Sequence, residues 1–127
     1  MISDEQARKI VERLLERTRA QQVNWRPDED QAEDGEVTGF YVLFPKSSIT
    51  VSFNSPVAEP DTIDIAFRND SDYIVKRWVV EEGDPDWSLV RSLYDEAGSC
   101  VLGWDGVLSD IENAIDTGGK IGLSLDA

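Results

Sequence analysis

Twenty-six carboxylates, one thiol and no imidazole make up the acid–base repertoire of this chain. A serine nucleophile needs a neighbouring base, and without histidine that base must be a lysine or a carboxylate. None of the four lysines, Lys9, Lys46, Lys76 and Lys120, stands three residues after a serine, the spacing of a Ser–Lys pair. The single cysteine, Cys100, falls on the apolar stripe of a helical segment, where a buried and inert thiol is expected. Zinc lacks its usual nitrogen and sulfur ligands. Calcium has one partial template, a loop register starting at Asp30 that puts Asp34 fifth and Gly35 sixth. That register fails at Ala32 and Tyr41, where oxygen ligands are required. Asp70 and Asp72 sit in a turn, where aspartate is favoured for backbone reasons. Pairs of carboxylates able to hydrolyse a glycoside arise by chance among so many acids. No phosphate-cradling glycine motif occurs. The expectation is a protein with no catalytic, metal-binding or cofactor-binding residues. An enzyme using carboxylates, with or without a metal, ranks third among the functional readings.

The charge is better suited to recognition. The net charge is −14, and it is unevenly placed. Residues 1–26 carry four acids and six bases, whereas the remainder carries 22 acids and six bases. The acid-rich run Asp28, Glu29, Asp30, Glu33, Asp34 and Glu36 repels itself and has little to bury, so 28–36 is expected to be a mobile loop. A second acidic group is Glu81, Glu82, Asp84 and Asp86. Both would steer a basic protein partner toward an aromatic anchor, for which Tyr41 and Trp78 are the candidates. Trp78 follows Lys76 and Arg77 and would form an amphipathic patch if it faced the uncovered side of a sheet, although core packing is the better-supported place for it. The leading reading is therefore a non-catalytic acidic interaction domain, immunity-like or regulatory. The alternative is a DNA mimic that occupies a nucleic-acid-binding protein, which requires carboxylates spaced like phosphates. Direct binding to nucleic acid or to an anionic membrane is disfavoured by the acidic excess. Homodimerisation through an exposed sheet face or edge strand is compatible with each reading.

These residues need elements to hold them. Ser3 and Gln6 have capping-box spacing, and Ala7, Ile10, Val11, Leu14 and Leu15 share one face, which predicts a helix over about 4–21. Its basic residues form a solvated face or dock on the acidic body. Val37–Phe44, Ser48–Phe53, Thr62–Arg68 and Tyr73–Val80 read as strands joined by short turns, and Val23–Arg26 as an extended segment stopped by Pro27. The last strand has apolar residues in both phases, which fits cover on both faces or a strong twist. Asp84-Pro85 is placed to start a helix carrying Trp87, Val90, Leu93, Tyr94, Ala97, Cys100 and Val101. Gly103 would stop it, and Trp104, Val107, Leu108, Ile111 and Ile115 define a last helix ending at Gly118-Gly119. Trp87 and Trp104 are expected core anchors, and 120–127 is a tail.

The expected fold class is α+β: an N-terminal helix, a four-stranded antiparallel meander, and two C-terminal helices packed on one sheet face, all within a single domain of residues 1–127. One cysteine cannot form an internal disulfide, the first 20 residues lack a signal-peptide core, and no apolar run reaches membrane-spanning length. A cytoplasmic location is the expectation.

The order of helix, Trp25, short sheet and a helix bearing Leu93-Tyr94-Asp95-Glu96-Ala97 resembles a diffuse group of small bacterial single-domain proteins. The shared motifs are packing motifs, and the resemblance implies the fold without assigning an activity or functional residues. By class, the acidic α+β design is also similar to immunity proteins and to secretion chaperones, although the helix order departs from the chaperone pattern.

Overall fold

In the computed structural model, which describes residues 1–29 and 35–123, the chain forms α1 (Asp4–Arg19), β1 (Arg26–Pro27), β2 (Gly39–Phe44), β3 (Ser47–Asn54), β4 (Thr62–Asn69), β5 (Ile74–Glu81), α2 (Trp87–Leu102) and α3 (Trp104–Asp116). The strands form one antiparallel meander in the order β1-β2-β3-β4-β5. The sheet has five strands rather than four. The extra one is the short edge strand β1, in which Arg26 pairs with Tyr41 and Pro27 with Phe40. Proline is tolerated at an edge because the N–H it lacks would point away from the ladder, toward solvent. The next residue closes the pair, the Asp28 N–H donating to the Gly39 carbonyl at 2.8 Å.

Strand alternation sets the two sheet faces. Phe40 and Val42, Ile49 and Val51, Ile63, Ile65 and Phe67, and Trp78 and Val80 are buried on one face. They form a continuous core with Ala7, Val11, Leu14 and Leu15 of α1 and Val90, Leu93, Tyr94 and Ala97 of α2. On the other face a cross-strand row runs Arg26, Tyr41, Thr50, Ala66, Arg77. An irregularity between Phe67 and Arg68 shifts the β4–β5 register. β5 is covered on one face only: Trp78 and Val80 are buried, whereas Ile74, Val75 and Val79 are about half exposed.

Local chemistry fixes the ends of α1. The Ser3 Oγ accepts from the Gln6 N–H at 3.1 Å, and the Gln6 Oε1 accepts from the Ser3 N–H at 2.9 Å. The helix stops at Arg19, just before Gln21 takes a left-handed φ of 60°. Its last turn is tied to β1 through a buried relay. Thr18 donates to the Leu14 carbonyl at 2.7 Å and accepts from the Trp25 indole N–H at 3.0 Å. Thr18→Val keeps the shape but strands that indole N–H in a buried site, so urea unfolding should show a loss of about 1–3 kcal/mol.

The basic residues of α1 divide between solvent and the second helix. Arg8 makes a two-pronged pair with Asp86, with contacts of 2.8 and 2.9 Å, and Arg19 approaches Glu96 at 3.7 Å. Together these brace α1 against α2 at two points. Lys76, on the helix-covered side of β5, pairs with Asp4.

The start of α2 differs from its sequence reading. The helix begins at Trp87 after Asp86, whose side chain makes no cap bond. Asp84 is instead spent on the preceding turn, where its carboxylate accepts from the Glu81 N–H at 3.0 Å.

The larger departure concerns α3. It was expected to cover the sheet beside α1 and α2, yet none of its residues is buried. Only its first residue, Trp104, packs against the core.

Candidate interaction surface

The surface begins where α2 ends. Gly103 adopts a left-handed conformation, φ 65° and ψ 38°, which terminates α2 and at once starts α3. Such a conformation suits glycine because it has no Cβ. Trp104 then turns back onto the body. Its ring lies 6.2 Å from that of Phe40, edge-on at 71°, and 5.9 Å from that of Tyr94. The indole fills the space over Gly98, where an added Cβ would stand 2.2 Å from its nearest ring carbon. Phe40 and Tyr94 are themselves 5.4 Å apart, and Tyr94 lies 5.4 Å from Phe53. Offset and edge-on aromatic contacts of this kind add stability beyond the area they bury. Burial pushes the Tyr94 hydroxyl above the usual tyrosine range.

Beyond Trp104 the helix leaves the core. Val107, Leu108, Ile111 and Ile115 are 50–56% exposed. They share one face, three or four residues apart, as core residues of a helix do. At 3.6 residues per turn, Asp105, Glu112 and Asp116 run along one flank of that face and Asp110 along the other. α3 contains no basic residue. The Asp105 carboxylate accepts from the Ser99 hydroxyl at 3.0 Å and so anchors the first turn. Asp110, Glu112 and Asp116 form no ion pair among the described residues. The result is an apolar stripe with acidic edges, rooted by one tryptophan and otherwise uncovered.

The residues singled out from the sequence do not converge. Asp28, Glu29 and Tyr41 line one shallow depression with Arg26 and Pro27, at the β1 edge. Glu81, Glu82, Asp84 and Asp86 lie at the far end of β5 and in the turn that follows, at the other sheet edge. Four inter-strand spacings, about 19 Å, separate those edges. Asp86 is also engaged by Arg8, and Asp84 by the backbone. Glu36 is exposed, and Asp30, Glu33 and Asp34 lie outside the described residues, as does the middle of the expected 28–36 loop. Trp78 is 5% exposed and faces the helices, so it is a core residue and offers a partner no surface.

Cys100, by contrast, is exposed rather than buried. Partial burial and the nearby Glu96 still push its thiol above the usual range, which keeps it protonated at neutral pH.

Among the described residues no three acidic or thiol side chains converge as a metal site would require, and no helix is long and apolar enough to cross a membrane.

The chain matches no family model, no curated protein and no solved structure.

One polar group on the open sheet face stands apart. The Asp64 side chain is 9% exposed, and its Oδ2 accepts from the Arg77 Nε at 2.6 Å. Its Oδ1 has no partner among the described residues. Arg77 lies largely in solvent, so this pair explains how a carboxylate is tolerated in the sheet without defining a cleft.

The sequence contained the signal for α3, but its meaning was ambiguous. A stripe at helical spacing marks an apolar face, and it does not say what covers that face. The clue available was Gly103-Trp104, a break followed by one bulky anchor, which allows the rest of the helix to swing clear.

Proposed function

We propose that the chain is a non-catalytic, acidic protein-interaction domain that engages a basic protein partner through α3. The observation that carries this reading is the half-exposed stripe Val107, Leu108, Ile111 and Ile115 edged by four carboxylates. Isolated short helices are marginal in water and gain most of their stability from burying an apolar face. A helix recognised in this way lays that face into an apolar groove, with anchors at i, i+3, i+4 and i+7. Its acidic flanks select a groove with a basic rim. Charge of this kind raises the association rate and rejects wrong partners more than it adds affinity.

The same acids argue against the other surfaces an amphipathic helix can meet. Membrane-surface helices carry lysine and arginine on the polar face, and α3 carries neither. Nucleic acid is repelled by the same charge. An immunity-like or regulatory role, in which the domain occupies a basic surface of another protein, fits this chemistry. The acids Asp28 and Glu29 at one sheet edge and Glu81 and Glu82 at the other then contribute long-range steering, with Tyr41 beside the first pair.

The test is affinity capture from native lysate with the wild-type chain and with Leu108→Asp/Ile111→Asp. A stoichiometric basic protein should be retained by the wild type and lost by the variant. Equal capture by both, or no partner under any condition, would overturn the reading.

A further inference from the structure

A second apolar surface lies at the other end of the molecule. Ile10 of α1, Phe44 at the end of β2 and Val75 in β5 rise around a floor of Ile49 and Phe67, enclosing a groove of about 710 Å³. The floor residues are buried, whereas Ile10, Phe44 and Val75 are 40–49% exposed. Ile10 and Phe44 also line an adjoining depression that carries Arg13 and Arg17, so the apolar trough is continuous with a basic shoulder. Arg68 lines the groove as well, with its guanidinium held by Asp72, 3.3 Å from the backbone carbonyl and 3.9 Å from the carboxylate. Arg13 and Arg17 form no ion pair among the described residues. One acid, Glu16, lies on that shoulder.

We propose that α3 of one copy docks in the α1–sheet groove of a second copy, and that the exchange is reciprocal. Two uncovered surfaces of one chain are complementary. The helix offers an apolar stripe flanked by four acids and no base. The groove offers apolar walls, with the unpaired Arg13 and Arg17 on its shoulder among the described residues. The helix is about 20 Å long at 1.5 Å per residue.

Position explains why the exchange is between copies. α3 is rooted beside Phe40, and the groove begins at Phe44, four residues and about 14 Å further along β2. Between the two, the core side of the sheet is already occupied by α1 and α2. Donor and acceptor thus sit at opposite ends of β2, and reciprocal docking of two copies would cover both surfaces in a closed assembly. The net charge of −14 opposes self-association. Screening over about 8 Å at physiological salt suppresses that distant repulsion, while desolvated contacts inside the groove are screened much less.

This inference rests on the reading of α3 as a docking helix: the second copy covers the stripe in the free protein, and a basic partner competes with it for the same residues. The test is sedimentation velocity of the full chain at 0.15 M salt over a wide concentration range, with Leu108→Asp on the helix side and Ile10→Asp on the groove side. Both positions are exposed in the free chain, and circular dichroism checks that the variants fold. The wild type should sediment as a dimer, twice the 14.2 kDa chain mass. Each variant alone should weaken dimerisation by about thirtyfold or more, as loss of a central anchor does. An equimolar mixture of the two variants should recover association, because it restores one intact helix–groove contact. A wild-type monomer at every concentration would overturn the exchange yet leave capture of a basic partner by α3 untouched. Dimerisation of Ile10→Asp at wild-type strength would also overturn it, by showing that the helices pair with each other. Failure of the capture experiment, with the dimer intact, would instead remove the foreign partner.

Discussion

Phe40→Ala should destabilise the chain by about 3–5 kcal/mol, the range for truncating a buried aromatic residue. Phe40 is fully buried and meets Tyr94 and Trp104 at 5.4 and 6.2 Å. It sits where β2, α2 and the root of α3 come together, so the cavity cannot be closed by moving one element alone. The loss should divide into two parts. Urea unfolding reports the weakened core through its midpoint. Tryptophan fluorescence in the native state reports the second part, because Trp104 loses one of its two ring neighbours and its emission should shift to the red. An unchanged native spectrum with a lowered midpoint would mean that Trp104 is held by Tyr94 and the Gly98 slot without help from Phe40.

Gly98→Ala should act on α3 more selectively. An alanine Cβ would stand 2.2–2.6 Å from three ring carbons of Trp104, far inside contact distance. Gly98 is within α2, where alanine is intrinsically favoured over glycine by about 1 kcal/mol. The two effects therefore have opposite signs, and the steric one wins because the indole must leave its slot. Overpacking of this kind costs about 1–3 kcal/mol. The expected result is a folded protein whose Trp104 is solvent-exposed and whose α3 amides exchange faster, with α1 and the sheet still protected. A variant that is more stable than wild type, with Trp104 still buried, would show that the ring can slide aside and that the slot does not fix the helix.

Both predictions concern the junction that separates the legible part of this protein from the illegible part. Strand alternation at Ile49, Val51 and Phe53 and at Ile63, Ile65 and Phe67 marks the sheet directly, because the side-chain period of a strand records which face is buried. The Ser3–Gln6 capping box likewise marks the start of α1. β1 was missed as a strand because a two-residue edge pairing leaves no periodicity to read. The start of α2 was displaced because Asp84 can cap a helix or close a turn, and the Arg8–Asp86 pair that helps to settle the matter joins residues 78 positions apart. α3 reads as a core helix for a related reason. An apolar stripe built for a partner and one built for the chain's own sheet have the same spacing. The same logic puts Cys100 in the interior, whereas it is exposed.

The candidate surface was legible in charge and not in place. Acidity pointed to a basic target, but the first-ranked acids lie at two sheet edges, and Trp78 serves the core. The anchors that supply apolar area are on α3, where the acids are fewer and the stripe is continuous. Charge alone therefore suggests a kind of partner without marking a contact.

The most direct measurement is the urea unfolding midpoint of Leu108→Asp/Ile111→Asp, taken by fluorescence at a concentration low enough to keep the chain monomeric. If α3 presents its stripe to a partner, the two aspartates meet only solvent, and stability should stay within about 1 kcal/mol of wild type, as it does for exposed positions. A loss of about 4 kcal/mol or more would mean that Leu108 and Ile111 are buried in the chain's own core, and would contradict the reading of α3 as a docking helix.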